Sequence, residues 1–279
     1  MKASMLAEKL ISDGQLTEAL HALQDAVRKD PSNAKYRIFL FQLLTVLGSW
    51  DRALTQLNVV GQLDAAALPM VQTYREAVQC EALRADIFSG QRLPVVFGEP
   101  APWIALMIDA LRLDASGGVQ QAATARAKAF ASAPTVGGTI DGSRFDWIAD
   151  GDARLGPLLE AVVNGRYYWI PFHRIRRIEI EAPIDLRDAV WMPASFIWIN
   201  GGETVGLIPT RYAGTVERND NALLLARRTE WIENQSGAAL GLGQRMLVSD
   251  VADYSLMDIR LIEFDAAPEE IAGSEAHDG

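Results

Sequence analysis

The first third of the chain repeats its pattern of apolar and small residues at a fixed interval. Leucines fall at the i, i+3 and i+4 spacings that form one buried stripe on a helix. The set Leu6, Leu10, Gly14, Ala19, Leu20 and Leu23 recurs 34 positions later as Leu40, Leu44, Gly48, Ala53, Leu54 and Leu57. The pattern therefore predicts two successive pairs of amphipathic helices.

The interval and the small residues indicate the type of helix pair. About 34 residues is the period of a tetratricopeptide (TPR) helix–turn–helix. A third match lies 103 positions after the first, at Gly117, Ala122, Ala129 and Pro134. Glycine permits the turn within a pair, alanine lets helices approach closely, and proline ends the second helix. We predict TPR-like helical hairpins over residues 3–133, with a degenerate period over 68–101, in a domain of residues 1–135. A generic amphipathic bundle is the alternative.

The periodicity changes after residue 135, where a linker-like stretch (132–138) ends. Asp152 is placed to cap a helix over residues 153–164 that stops at Gly165. Strands are predicted at 167–171, 175–181, 196–208 (a hairpin turning at Asn200-Gly201), 222–226, 229–233, 245–249 and 258–264. The chain is thus predicted to be α+β. A mostly antiparallel β-containing domain, forming a small sheet or open barrel, covers residues 136–264, and an acidic disordered tail covers 265–279.

Charge and composition exclude several classes of protein. The net charge is −10, and every cation after Lys128 is an arginine. Domains that bind nucleic acid are usually basic, so no nucleic-acid partner is expected. No apolar run could span a bilayer and the N-terminus lacks a secretory signal, so no membrane association is expected. Cys80 is the one cysteine, which precludes an intrachain disulfide and fits a cytoplasmic protein.

Residues with catalytic or metal-binding chemistry are few and scattered. The spacings of metal ligands, of a nucleophile elbow, of a phosphate loop and of a dinucleotide fingerprint do not occur. Gly241-Leu242-Gly243 lacks a third glycine and is interpreted as a loop. Asp146, Asp150 and Asp152 depart from the EF-hand order because Gly151 precedes the last of them. We therefore expect no catalytic residue, no metal and no cofactor.

One alternative keeps chemistry in the C-terminal domain. His173 is the histidine best placed for acid–base work, and Asp150 and Asp152 form a nearby carboxylate pair in the sequence. A hydrolase or a small-molecule-binding protein would use these side chains. It would need a closed pocket with convergent polar groups and perturbed pKa values.

Five motifs follow one another in the second half of the chain. They are FDWIADGDARLGP (145–157), GRYYWIPF (165–172), DLRDAVW (185–191), IPTRY (208–212) and GLGQR (241–245). With the N-terminal repeats, they make residues 3–264 resemble the ImpE family, also called SciE or TagJ. The resemblance implies a cytoplasmic, non-enzymatic accessory subunit of a bacterial type VI secretion system. It also implies a partner, the N-terminal helix of the small sheath subunit (TssB), and through it a link to the ClpV-type AAA+ ATPase.

The resemblance supplies no binding residues, so candidates come from the chemistry of interfaces. Tryptophan, tyrosine and arginine are enriched at interface hot spots. The candidates within the motifs are Trp147, Asp150, Asp152, Arg154, Arg166, Trp169, Arg211, Tyr212 and Arg245. A purely structural role through self-association is a third hypothesis.

Overall fold

A computed structural model describes residues 2–265 of the 279-residue chain. Within these residues, seven of the eight helices lie before residue 133 and all strands but β1 lie after it, which confirms the α+β class. The helices are α1 (Lys2–Ser12), α2 (Leu16–Lys29), α3 (Ala34–Val46), α4 (Trp50–Leu63), α5 (Leu68–Phe88), α6 (Pro102–Ala115), α7 (Val119–Ser132) and α8 (Asn221–Leu224). The strands are β1 (Val95–Val96), β2 (Gly138–Ile140), β3 (Ser143–Phe145), β4 (Ile148–Asp150), β5 (Leu158–Val163), β6 (Arg166–Pro171), β7 (Ile175–Ile180), β8 (Trp191–Trp198), β9 (Glu203–Pro209), β10 (Thr229–Glu233), β11 (Ala239–Gly243), β12 (Met246–Ser249), β13 (Asp253–Ser255) and β14 (Leu261–Phe264).

The predicted hairpins are present as the antiparallel pairs α1–α2, α3–α4 and α6–α7. Gly14, Gly48 and Gly117 have positive φ angles at the turn inside each pair, which explains the three-fold recurrence of glycine. Asn33 caps α3 by accepting a hydrogen bond from the Tyr36 amide. The degenerate period corresponds to α5, one helix of 21 residues, which has no partner helix of its own repeat.

The strands form three sheets dominated by antiparallel pairing. The largest has nine strands in the order β1-β6-β5-β9-β8-β7-β14-β2-β3, in which β1 pairs with β6 in parallel. The predicted hairpin at Asn200-Gly201 joins β8 to β9. A three-stranded sheet has the order β13-β12-β4, and β10 pairs with β11. The prediction of a mostly antiparallel β-containing region is confirmed.

The helix predicted over residues 153–164 is wrong. Turns lead from Gly151 into β5, and the side chain of Asp152 pairs with Arg154 instead of capping a helix. Every residue of β5 is buried, and a short continuous apolar run cannot be assigned to helix or strand by periodicity. Asn164 and Gly165 both have positive φ and close the β5–β6 hairpin, so the Asn-Gly pair was the overlooked signal.

Three further assignments are corrected. The strand predicted at 222–226 is the short helix α8, which the Asp220 side chain caps through the amides of Ala222 and Leu223. The loop predicted at Gly241-Leu242-Gly243 is the end of strand β11, paired with β10. The segment 258–264 is a strand only from Leu261 onward, and the short strands β2, β3, β4 and β13 were not predicted.

Two hydrophobic cores lie on opposite sides of the large sheet. On β5, Leu158 and Val162 join the core formed with the helices, whereas Leu159, Ala161 and Val163 join a second core among the strands. Helix α5 packs against β6 and provides much of the helical side of the first core. The helical and β-containing regions therefore share one continuous core, and the division into domains at residue 135 stays a prediction.

Two further expectations from the sequence concern the C-terminal tail and membrane-spanning helices. The predicted disordered tail lies outside the described residues, except for Asp265, which pairs with Arg144. Among residues 2–265, no helix is both long and apolar enough to cross a membrane.

Candidate functional site

A buried cluster of charged residues joins α5 to the large sheet. Arg84 on α5 donates two hydrogen bonds to the Glu160 carboxylate on β5, from Nε at 2.6 Å and from Nη2 at 2.7 Å. The Tyr167 hydroxyl donates to the same carboxylate at 2.5 Å, and the Trp169 indole donates to the Tyr167 oxygen at 3.0 Å. These bonds fix the angle at which the helix crosses the strands.

Arg245 completes this cluster from the other side of Glu160. Its guanidinium bonds to both Glu160 and Asp150, and its Nε donates to the Pro209 carbonyl at 2.8 Å. Arg84, Asp150, Glu160 and Arg245 are each at most 5% exposed. We call these four residues the ionic joint. It balances two arginines against two carboxylates, as buried charges require.

The pKa values in the ionic joint follow from burial and from how the charges are shared. Burial alone would raise the pKa of Glu160, but Arg84 and Arg245 outweigh it and lower the pKa to about 2. Burial raises the pKa of Asp150 to about 7, because Arg245, which opposes the shift, is shared with Glu160. Glu160 is therefore the permanently charged centre, and Asp150 is the carboxyl that titrates near neutral pH.

Arg211 is buried in a different way. It is 4% exposed, and no carboxylate within residues 2–265 forms an ion pair with it. Its guanidinium donates to the carbonyls of Val46 and Leu224 at 2.7 Å each and to Thr45 at 3.3 Å. Burial lowers its pKa to about 10. A cation at the carboxyl end of α3 also complements the helix dipole, so Arg211 ties the IPTRY motif to the second hairpin.

Helices α1, α3 and α5 each contact the C-terminal half of the chain. Arg227 donates to the carbonyls of Ser12 and Ile11 at 2.9 Å, at the end of α1. Asn221 donates to the Gly14 carbonyl at 2.7 Å. Arg211 likewise binds the end of α3, and Glu160 binds Arg84 on α5, so three helices are tied to the C-terminal half of the chain.

One groove remains open beside α1 and α3. Its volume is about 470 Å³, and the 181–186 loop forms its far wall. Its apolar lining includes Ile184, which is 86% exposed, and Met5 on α1 lies one turn before Glu8 with 63% exposure. We call it the α1–α3 groove; its lining residues are Glu8, Ile11, Ser12, Phe39, Gln42, Ile184, Asp185, Leu186 and Arg227.

Comparisons with known proteins match this geometry. The protein-family profile described as ImpE protein matches residues 142–263, and a tetratricopeptide repeat profile matches residues 10–75. The type VI secretion system accessory component TagJ of Pseudomonas aeruginosa strain PAO1 is 52% identical over 262 residues, which cover 94% of this chain and 92% of TagJ. The chain belongs to the ImpE family. The resemblance stated from the five motifs is therefore confirmed.

A solved structure supports the fold of this ImpE protein independently. The crystal structure of protein VPA1032 from Vibrio parahaemolyticus superposes with a TM-score of 0.84. The match covers 95% of this chain and 99% of that one at 24% identity, and so concerns the fold alone.

Most of the predicted partner-binding residues of the ImpE protein are buried. Trp147 is 41% exposed and Arg166 is also exposed, while Arg154 is half-buried. The others are at most 4% exposed: Asp150, Asp152, Trp169, Arg211, Tyr212 and Arg245. In this conformation the buried residues stabilise the contact between the helices and the sheet, and their role in binding a partner stays a prediction that would require the structure to open.

The carboxylate pair considered for catalysis is engaged in ion pairs. Asp150 contacts Arg245, and Asp152 binds Arg154 and accepts the Gly241 amide at 2.9 Å. His173 lies beside Trp103, with 6.2 Å between the ring centroids, and burial lowers its pKa. A cavity of about 80 Å³ lies next to Arg84 and Arg211, but none of these three residues lines it.

The residues that the sequence reasoning missed are Arg84, Glu160 and Tyr167. A single arginine in an amphipathic helix is usually solvated, so Arg84 gave no signal. The sequence did contain a signal for Glu160, since this residue stands alone among the apolar residues of LLEAVV. A charge inside such a buried run needs a buried partner. No group of three or more His, Cys, Asp or Glu side chains in the described part of the chain could hold a metal ion.

Proposed function

We propose that this protein is a non-enzymatic accessory component of a type VI secretion system that binds the N-terminal helix of the small sheath subunit. The observation that carries the proposal is the 52% identity to TagJ over nearly the whole chain, since TagJ is an accessory component of that system. By holding the sheath helix, the protein would link the sheath to its ClpV-type ATPase in the cytoplasm.

The α1–α3 groove is our candidate for the helix-binding site. An amphipathic helix docks by laying an apolar face into a groove of this kind. Phe39 and Gln42 on α3 and Ile11 on α1 form the base, and Ile184 stands at the rim. Helix α1 has 11 residues, about 16 Å of helix, which is enough to contact three turns of a partner. The ends of the groove carry Glu8, Asp185 and Arg227, which could orient the partner's charges.

Binding can be measured with the full chain and a synthetic peptide of the first helix of the sheath subunit. Ile184→Asp places a charge at the most exposed apolar position of the groove and should weaken binding at least tenfold. Phe39→Ala should weaken it several-fold by removing apolar contact area. Val205→Asp is the matched control, because Val205 is 74% exposed on β9, outside the groove.

The outcomes separate the partner from the surface. Loss of binding in Ile184→Asp with normal binding in Val205→Asp supports both. Tight binding by all variants would keep the sheath helix as the partner but reject the α1–α3 groove. An absence of binding by the unaltered protein, checked by isothermal titration calorimetry, would reject the proposed function itself.

A further inference from the structure

A second exposed surface lies on the three-stranded sheet, none of whose strands lines the α1–α3 groove. Side chains alternate along β4, so the buried Ile148 and Asp150 point inward, while Trp147, Ala149 and Gly151 share the outer face. The register pairs Ala149 with Val248 on β12, which brings Val248 onto the same face. On this outer face, Ala149, Gly151 and Val248 are partly exposed, and a tryptophan of the neighbouring hairpin lies against Gly151.

That tryptophan is Trp231 on β10, whose ring is held over the sheet. A Cβ atom at Gly151 would lie 2.6 Å from the Trp231 ring, so only glycine lets the indole lie so close to the strand. The ring also packs against the buried Tyr212, with 5.7 Å between centroids. Trp231 nevertheless remains 46% exposed, and Trp147 is 41% exposed. Gly151 and Trp147 are four residues apart, about 13 Å on an extended strand.

Two carboxylates lie on the Trp147 and Val248 side of this face. Asp250 accepts hydrogen bonds from the amides of Asp146 and Trp147, and these bonds keep its pKa low, so that it is charged at neutral pH. Asp253 lies opposite Val248 in the register and is exposed. The nearby cation Arg144 is already engaged by the carboxylate of Asp265 through two hydrogen bonds of 2.7 Å.

We propose that this tryptophan face, formed by Trp147, Ala149, Val248 and Trp231, docks an extended, arginine-bearing segment of a partner protein. An exposed indole attracts a guanidinium through its ring face, and tryptophan is the strongest such acceptor. Asp250 and Asp253 add charge complementarity, which speeds association and disfavours acidic partners. Two arginines four positions apart on an extended segment match the spacing of the two indoles. This surface is separate from the groove, so it does not depend on the proposed function.

The probe is a heptapeptide, Gly-Arg-Leu-Gly-Leu-Arg-Gly, blocked at both ends and titrated at low salt. The indole N–H signals of the full chain are followed by NMR, and those of Trp147 and Trp231 are assigned with Trp147→Phe and Trp231→Phe. We expect shifts concentrated in these two signals among the seven tryptophans of the chain. Trp147→Ala and Trp231→Ala should each weaken binding at least threefold, and Asp253→Asn about twofold.

Two controls make the result decisive. The same peptide with glutamate in place of arginine should shift neither signal. Ile199→Ala, at an apolar position 40% exposed in the turn between β8 and β9 of the large sheet, should leave affinity unchanged. Equal shifts from the glutamate peptide would show unspecific apolar contact and overturn the proposal. So would an unchanged affinity in folded Trp147→Ala and Trp231→Ala, or a peptide that perturbs no indole at all.

Discussion

The ionic joint and the α1–α3 groove place charged and apolar residues in opposite arrangements. In the joint, charges are buried and fully paired, with Glu160 bonded to Arg84, Arg245 and Tyr167. In the groove, the apolar side chain of Ile184 is left 86% accessible. Buried charges destabilise the fold when one member of the cluster is removed. An exposed apolar side chain is unfavourable in water until another protein covers it. We therefore expect changes in the joint to affect stability and changes in the groove to affect binding.

The strongest test of this difference is Glu160→Gln. Removing this charge leaves Arg245 with Asp150 and leaves Arg84 with only the longer pair to Glu81, at 3.4 Å. We expect a loss of about 3–5 kcal/mol in the free energy of unfolding. Asp25→Asn is the matched control, because Asp25 pairs with Arg28 at the surface, where both side chains are more than half exposed, and we expect a change below about 1 kcal/mol. Urea unfolding monitored by circular dichroism measures both; equal effects would show that the joint does not hold the two regions together.

The next largest effect is expected at Arg211. Arg211→Met keeps an unbranched apolar stem but removes the guanidinium, which leaves the carbonyls of Val46 and Leu224 without their donor. A cost of about 3 kcal/mol follows from the buried hydrogen bonds that are lost. Arg227→Met is the comparison, because Arg227 also bonds to the end of a first helix but is exposed, so that water can replace it. A greater loss of stability from Arg227→Met in urea unfolding would contradict the role of burial.

The pH dependence of stability should also originate in the joint. The folded state holds the Asp150 proton up to about pH 7, while the unfolded chain releases it near pH 3.8. Between these values the folded state binds more protons, so stability falls as pH rises, by at most about 1.4 kcal/mol per pH unit. Glu160 changes the stability only below pH 4.5, where its stabilising effect is lost as the pH falls, because its pKa in the folded state is lowered to about 2. The pKa of His173 is lowered in the folded state, so this residue makes stability rise with pH. The His173→Gln substitution removes this opposing contribution.

Asp150→Asn in that background should abolish the fall in stability between pH 4.5 and 7. The measurement is a series of urea unfolding curves at half-unit steps of pH. Asp253→Asn serves as the exposed control and should leave the slope unchanged, since Asp253 faces solvent. A slope that persists in the Asp150→Asn protein would show that this carboxyl does not titrate between those pH values.

The same contrast explains what could be predicted from the sequence. The hairpins were predictable because Gly14, Gly48 and Gly117 impose a local turn at a regular interval, and each local signal agrees with the fold. The ionic joint was not predictable, because its bonds connect residues that are distant in the chain. Arg84 and Glu160 are 76 positions apart, and Asp150 and Arg245 are 95 positions apart. Pairing over such distances leaves no periodic trace. Arginines of the motifs were read as surface contacts for this reason.

Strand β5 shows the same limit at the level of secondary structure. A strand with one face against the helices and the other against the second core is buried on both faces, so the apolar residues of β5 show no alternation and Glu160 is the one charge among them. Trp147, by contrast, is a motif aromatic that lies outside the two cores and is 41% exposed, and its role in binding a partner stays a prediction. Sequence reasoning thus identifies which residues are unusual, and burial decides whether they stabilise the fold or remain available to a partner.

The smallest effect on stability should accompany the largest effect on binding. Ile184→Asp changes a side chain that is 86% exposed, and substitutions at such positions usually alter the free energy of unfolding by less than about 0.5 kcal/mol. The same change should weaken binding of the sheath helix at least tenfold, because a carboxylate would have to be desolvated against the partner's apolar face. Glu160→Gln should do the reverse at low temperature, with reduced stability and nearly normal affinity in the folded fraction. If Ile184→Asp instead destabilises the fold as strongly as Glu160→Gln, the groove is a part of the folded core and the division between the two regions is wrong.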